Sequence, residues 1–175
     1  MAIDLQKRLE HVASPLRGLS PIRAGFSSLI GLSTLVAMLS VPSVVYADCD
    51  AGEQRLFFCN TVNNKVIQLC DAGATINYSF GRPNAPPELA LRVPRHLAST
   101  WQWQGVGRWM SYSVVVPNGD TRYQVFFSVD RLSEEHAIEA GVDVEVGGKH
   151  LVRVECRDDG TLFQQLEGVD LPADD

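Results

Sequence analysis

YSVVVPNGDTRYQVFF, residues 112–127, decides the fold. Tyr112, Val114 and Val116 alternate along the first half, and Tyr123, Val125 and Phe127 alternate along the second. Successive side chains of a strand point to opposite faces, so each trio lies on one face of its strand. Between them stands Asn118-Gly119, the dipeptide favoured for a two-residue type I′ turn. With that loop, Pro117 faces Asp120, Val116 faces Thr121, Val114 faces Tyr123 and Tyr112 faces Val125. All six residues then fall on a single apolar surface. A slip by one residue would turn one trio to water, so the register is strongly specified.

Working outward, the same period recurs between short clusters of Gly, Asn, Asp and Pro, which is the pattern of a β-sandwich or barrel. In 141–146, Val142, Val144 and Val146 oppose Asp143 and Glu145. Gly147-Gly148 then turns the chain into 150–157, where Val152, Val154 and Cys156 share a face against Arg153, Glu155 and Arg157. Upstream, 56–61 and 66–70 form a hairpin joined near Asn63-Asn64. Strands are also expected over 75–80, 88–93 and 100–104. One helix is expected over 133–140, with Ser133 as N-cap, Glu134 and Glu135 in the first turn and Gly141 as terminator. The fold class is therefore all-β, an antiparallel barrel or sandwich of eight to nine strands with one short helix and two disulfides.

The chain holds four cysteines, Cys49, Cys59, Cys70 and Cys156. An even number in a small exported domain reads as disulfides, and the close Cys-x-x-Cys pairs of zinc sites do not occur. If Leu56 and Phe58 share a face with Ile67 and Leu69, Cys59 and Cys70 meet on the opposite one. Their bridge would contribute about 3 kcal/mol in the chain-entropy model. Elimination then pairs Cys49 with Cys156, for about 4 to 5 kcal/mol. Four cysteines allow three pairings, so spacing alone leaves the alternatives open.

Residues 1–47 read as a signal peptide. Lys7, Arg8, Arg17 and Arg23 supply the positive n-region, residues 24–39 the apolar stretch, and Val45-Tyr46-Ala47 the small residues before cleavage. Gly31 and several serines interrupt that stretch, and Pro42 closes it, which disfavours a membrane-spanning helix. Asp48 before Cys49 disfavours a lipoprotein. Residues 48–166 suffice for one β domain with one core. Residues 48–175 carry 11 Lys and Arg against 19 Asp and Glu, a balance of −8. That charge argues against nucleic acid and against an anionic membrane surface. The acidic end, 167–175, has little to bury and reads as a disordered tail. A periplasmic or secreted location follows from leader and cysteines together.

LFFCNTVNNKVIQLC at 56–70, NYSFGRP at 77–83 with the following Pro-Glu-Leu, NGDTRYQVFFSV at 118–129 and AGVDVEVGGKHLVRVEC at 140–156 resemble a group of small, secreted or periplasmic, functionally uncharacterised bacterial proteins. That group shows a Leu-Phe-x-Cys strand, a second Cys, a Tyr-x-Phe-Gly element and a closing Gly-Val-x-Val to Cys strand. The resemblance implies an exported bacterial β domain and no activity. It also implies that Cys59, Cys70 and Cys156 belong to a shared framework.

Candidate chemistry concentrates in WQWQGVGRW, 101–109, which holds all three tryptophans. Trp101 and Trp103 would share a strand face, with Arg108 and Trp109 beside them, forming a platform for a sugar or a partner's apolar patch. The alternative is that Trp101 and Trp103 fill the core. His136 and Glu139 stand three apart on the expected helix, but no third ligand accompanies them. His96 and His150 lie near turns without a marked nucleophile. Asn77-Tyr78-Ser79 matches the glycosylation acceptor pattern, which a bacterial origin would leave unused. Lysozyme inhibitors share this size, compartment and acidity, yet their Ser-Gly-x-x-Tyr loop has no counterpart here.

No catalytic residue, metal site or cofactor is indicated. The expected role is a non-enzymatic binding or envelope-associated module, with a protein or glycan of the envelope as partner. A structural envelope component and an inhibitor of a cell-wall hydrolase are the alternatives.

Overall fold

The computed structural model describes residues 49–174. The proposed leader, 1–47, lies outside them. Among the described residues the chain forms two antiparallel sheets of five strands each. In the first sheet, β1 (Gln54–Asn60), β2 (Val66–Asp71), β3 (Thr75–Gly81) and β4 (Leu89–Pro94) follow one another as a meander. The short β10 (Phe163–Gln164) adds to the outer edge of β1. A single 3-10 turn, Arg95–Leu97, carries the chain into the second sheet. That sheet is a meander of β5 (Ser99–Gln102), β6 (Trp109–Asn118), β7 (Thr121–Asp130), β8 (Ile138–Val146) and β9 (Lys149–Glu155).

One core lies between the sheets. Phe57, Cys59, Ile67, Leu69, Ile76 and Tyr78 enter it from the first, and Tyr112, Val114, Val116, Val125, Phe127 and Val142 from the second. The sheets do not close into a barrel, so the arrangement is that of a sandwich. Tyr78 and Tyr123 stack across the gap with ring centroids 5.4 Å apart. Burial there pushes the Tyr78 hydroxyl well above its ordinary range, with the neighbouring Tyr123 adding to the effect.

The decisive hairpin forms with the expected faces and a different register. Asn118 pairs with Thr121, Val116 with Tyr123, Val114 with Val125 and Tyr112 with Phe127. The loop is Gly119-Asp120, not Asn118-Gly119. Gly119 takes φ 64 while Asp120 is not among the positive-φ residues, the pattern of a type II′ turn with glycine first. Each partner moves by two residues, an even step, so every side chain keeps its face. The Gly147-Gly148 turn joins Val146 to Lys149 as expected, both glycines having positive φ.

The helix expected over 133–140 is absent. Ser133 does cap one turn, its Oγ accepting from the Ala137 amide at 3.3 Å. From Ile138 onward the chain pairs with β7, and the sheet ladder overrides the local helix signals.

Both disulfides pair differently from expectation. Cys49 bonds Cys70, and Cys59 bonds Cys156. The cause is strand parity in β1. A bulge between Arg55 and Phe57 buries both Leu56 and Phe57, and it is Phe57, opposite Leu69, that shares the core face with Cys59, opposite Ile67. Phe58 points outward beneath the Arg55 guanidinium, 5.2 Å from its ring centre. Cys70 lies on that outer face, so Cys59 and Cys70 are on opposite sides of the sheet. Cys59 instead reaches across the core to Cys156, where the chain leaves β9. There the Cys156 amide bonds Ala140 O at 2.8 Å and the Arg157 amide bonds Asn60 O at 2.7 Å, tying the two sheets together.

Residues 167–174, expected as a disordered tail, run back to the second sheet. Leu166 is fully buried ahead of them. The Thr100 amide bonds Pro172 O at 2.8 Å and the Asp174 amide bonds Thr100 O at 2.9 Å, a parallel bridge on the free edge of β5. Asp174 also accepts from Ser99 Oγ at 2.7 Å and from Arg122 at 2.5 Å. The Asp174 carboxylate, one of those that suggested disorder, serves here as an acceptor.

Candidate functional site

The three tryptophans divide into two roles. β5 ends at Gln102, so Trp103 lies in the loop 103–108 and does not share a strand face with Trp101. Its Nε1 donates to Val106 O at 3.0 Å, the Arg131 guanidinium covers its ring at 4.5 Å, and it packs against the core. Trp103 is thus a fastening of the loop. Trp101 and Trp109 project from the outer face of the second sheet, 48% and 38% exposed.

Arg108 is also occupied. Its Nε and Nη2 donate to one oxygen of Asp130 at 2.8 and 2.5 Å. The other oxygen accepts from the amides of Leu132 and Ser133 at 3.0 and 3.2 Å. Asp130 is buried and joins the loop 103–108 to the loop 131–137. Hydrogen bonding from Arg108 above all, aided by the two amides, draws its carboxyl down to about 2 from an ordinary 3.8. Because the folded state lowers this pKa, the stabilisation is present above the unfolded value and is lost as pH falls through about 2. Asp130→Asn should therefore free both loops at neutral pH. Protection of the amides over 131–137, taken relative to the intrinsic exchange rate at each pH, is expected to fall to what the unsubstituted protein shows in acid. Slow exchange in the variant would refute this linkage.

The outer face between Trp101 and β9 forms a trough. Its rows follow from the register: Trp101, Ser113, Phe126 and Gly141 lie side by side across β5 to β8, while Ser111 and Ser128 form the adjacent row. Trp101 stands at one margin and Arg153 toward the other, with serine side chains between them. Ser111, Ser113 and Ser128 line a shallow depression of about 400 Å³. Phe126 forms its floor, with the Arg153 guanidinium stacked at 4.5 Å. Arg153 in turn grips Asp143 with two hydrogen bonds, 2.8 and 2.7 Å. Gln124 Nε2 donates to Ser113 Oγ at 3.0 Å, orienting that hydroxyl. Trp109, four residues from Ser113 along β6, stands beyond the lining of the trough.

Of the histidines, His136 is in the turn before β8 with φ 49, its Nδ1 3.3 Å from Asp130 O, and Glu139 is on the strand, so no helix presents them together. His150 Nε2 lies 3.4 Å from Asp143 Oδ1 at the exposed end of the trough. Cys49, Cys70 and Glu53 are clustered closely enough to suggest a metal site, but both sulfurs are oxidised and offer no thiolate.

Of the expected surface Trp101, Trp103, Arg108 and Trp109, Trp101 lines the trough, and Phe126, Asp143, Arg153 and the serines join it without having been singled out from sequence. A signal for them exists in the alternation itself, since they are the outward positions of β6 to β9. Two small side chains opposite one another on an outer face, as Ser111 and Ser128 are, mark a depression. Comparison with protein-family models yields no match, nor do comparisons with curated proteins and solved structures.

Proposed function

We propose that this protein is an exported, non-enzymatic binding module that attaches to the bacterial cell envelope through the outer face of its second sheet. Its place outside the cytoplasm is supported by two disulfides in a small domain and by the leader-like residues 1–47. This agrees with what the resemblance to secreted bacterial proteins implies. The observation that carries the reading is Trp101. An indole half exposed on a strand, beside a concave polar trough and away from the core, has no packing role to explain it, whereas flat aromatic surface with a polar rim suits recognition.

Sedimentation of the purified protein with isolated cell envelopes tests this. Retention is expected, with about a tenfold loss of affinity for Trp101→Ala, roughly the worth of one aromatic contact. Because Trp101 is half exposed, the variant should melt with the unsubstituted protein. Retention unaffected by Trp101→Ala would rule out this face as the binding site.

A further inference from the structure

Resting on that reading, we infer that the trough takes an uncharged oligosaccharide lying across the strands, from Trp101 on β5 to Arg153 on β9. Four features of the trough select this chemistry over others.

The first is charge. Asp143 and Arg153 are the charged residues of the lining, and they neutralise one another through a two-pronged contact. Glu139 adds to the same cluster, 3.5 Å from Arg153. No uncompensated cation waits for a carboxylate or phosphate, so a uronic acid chain or a phosphate polymer would meet net repulsion.

The second is the kind of polar group on offer. β6, β7 and β8 are interior strands whose backbone groups are already paired in the ladder. An extended peptide would find no main-chain partners there. What the trough presents are side-chain groups: the hydroxyls of Ser111 and Ser128, the Gln124 amide and the Asp143 carboxylate. These match the mixed donors and acceptors of sugar hydroxyls. A protein's apolar patch would instead strip water from those groups without replacing it.

The third is the pairing of flat surfaces with that polarity. The Trp101 indole stands at one margin, and the Phe126 ring with its stacked guanidinium lies further along the same row. Pyranose rings carry C–H faces that stack on such planes while their rims make hydrogen bonds. The fourth is length. The Arg153 guanidinium reaches back over Phe126 on β7, so the open stretch from Trp101 covers two strand spacings, roughly 10 Å, which accommodates about two linked pyranose rings.

Calorimetric titration of the purified protein with N-acetylglucosamine and glucose oligomers of increasing length tests the inference. Affinity should rise up to about two rings and then level, as expected for a site of that span. Galacturonate oligomers of equal length should bind about tenfold more weakly or worse, because they bring charge to a site without a free cation. Trp101→Ala should reduce tetramer affinity about tenfold, while Trp109→Ala, outside the lining, should leave it within about twofold. Loss through Trp109→Ala in place of Trp101→Ala, or equal binding of the charged chains, would overturn the proposal. If no neutral oligomer binds at millimolar concentration while envelope retention still depends on Trp101, the glycan inference fails and the binding face stands. If retention is also indifferent to Trp101, both fail.

Discussion

Replacing Cys59 and Cys156 together by alanine is expected to lower the stability of the protein by about 4 to 5 kcal/mol, the worth of a closed loop near a hundred residues in the chain-entropy model. The two residues are 97 apart in sequence, against 21 for Cys49 and Cys70. The shorter loop is worth about 3 kcal/mol by the same relation. Position widens the difference. Cys49 precedes β1 and Cys70 lies in β2, so that bridge stays within the first sheet. Cys59 is fully buried on the core face of β1, and Cys156 follows the last strand of the second sheet, so this bridge fastens sheet to sheet. A domain of this size holds only about 5 to 15 kcal/mol in all. Urea midpoints of the two double variants, Cys59→Ala/Cys156→Ala and Cys49→Ala/Cys70→Ala, supply the comparison. The first should fall well below the second, and an equal or reversed order would contradict the assigned role of the inter-sheet bridge.

That bridge also shows where sequence reading succeeds and where it stops. Over 142–146 and 152–156 apolar residues alternate with polar ones, so Val142 and Val144, Val152 and Val154 could be given one face directly. In β6 and β7 the runs Val114-Val115-Val116 and Val125-Phe126-Phe127 are unbroken, but the turn signal at Asn118-Gly119 and the facing trios on either side of it fix their parity. Along β1 the run Leu56-Phe57-Phe58 is apolar at three consecutive positions, so parity is undetermined by hydropathy. Choosing Leu56 and Phe58 as the inward pair put Cys59 on the wrong face and forced the wrong disulfide. The bulge that buries Leu56 beside Phe57 is a tertiary event with no local sign. The helix expected over 133–140 fails for a related reason: its capping serine is real, but β7 offers Ile138 and its successors a ladder worth more than one further helical turn. The candidate site was half legible. Trp101 announced itself by residue type, whereas Arg153 joins it only after the meander brings β9 four strands across. Arg108 looked like a ligand donor because nothing local reveals that Asp130, 22 residues on, will engage it.

Gly141→Ala is expected to damage both the fold and the trough, because β9 passes so close to β8 that no side chain fits between them. A Cβ built at Gly141 would lie 2.2 Å from the carbonyl oxygen of Val154 and 3.1 Å from the Glu155 Cα. Those are backbone atoms, which cannot swing aside as the end of a flexible side chain could. Relief would require β9 to move away from β8, breaking the Val142–Val154 pairing that continues the core and carrying Arg153 off Phe126. Overpacking of this kind costs about 1 to 3 kcal/mol where the surroundings can adjust, and more where the obstacle is main chain. Gly105→Ala is the matched control. Gly105 has φ 82 and no atom within 4 Å of a built Cβ, so it should cost only the strain of positive φ, about 1 kcal/mol. Urea midpoints should therefore place Gly141→Ala well below Gly105→Ala. Oligosaccharide affinity, measured on whatever fraction of the first variant remains folded, should fall with it, since the displaced strand holds one end of the trough. If Gly141→Ala were as stable as the control, the close approach of β8 and β9 would be refuted.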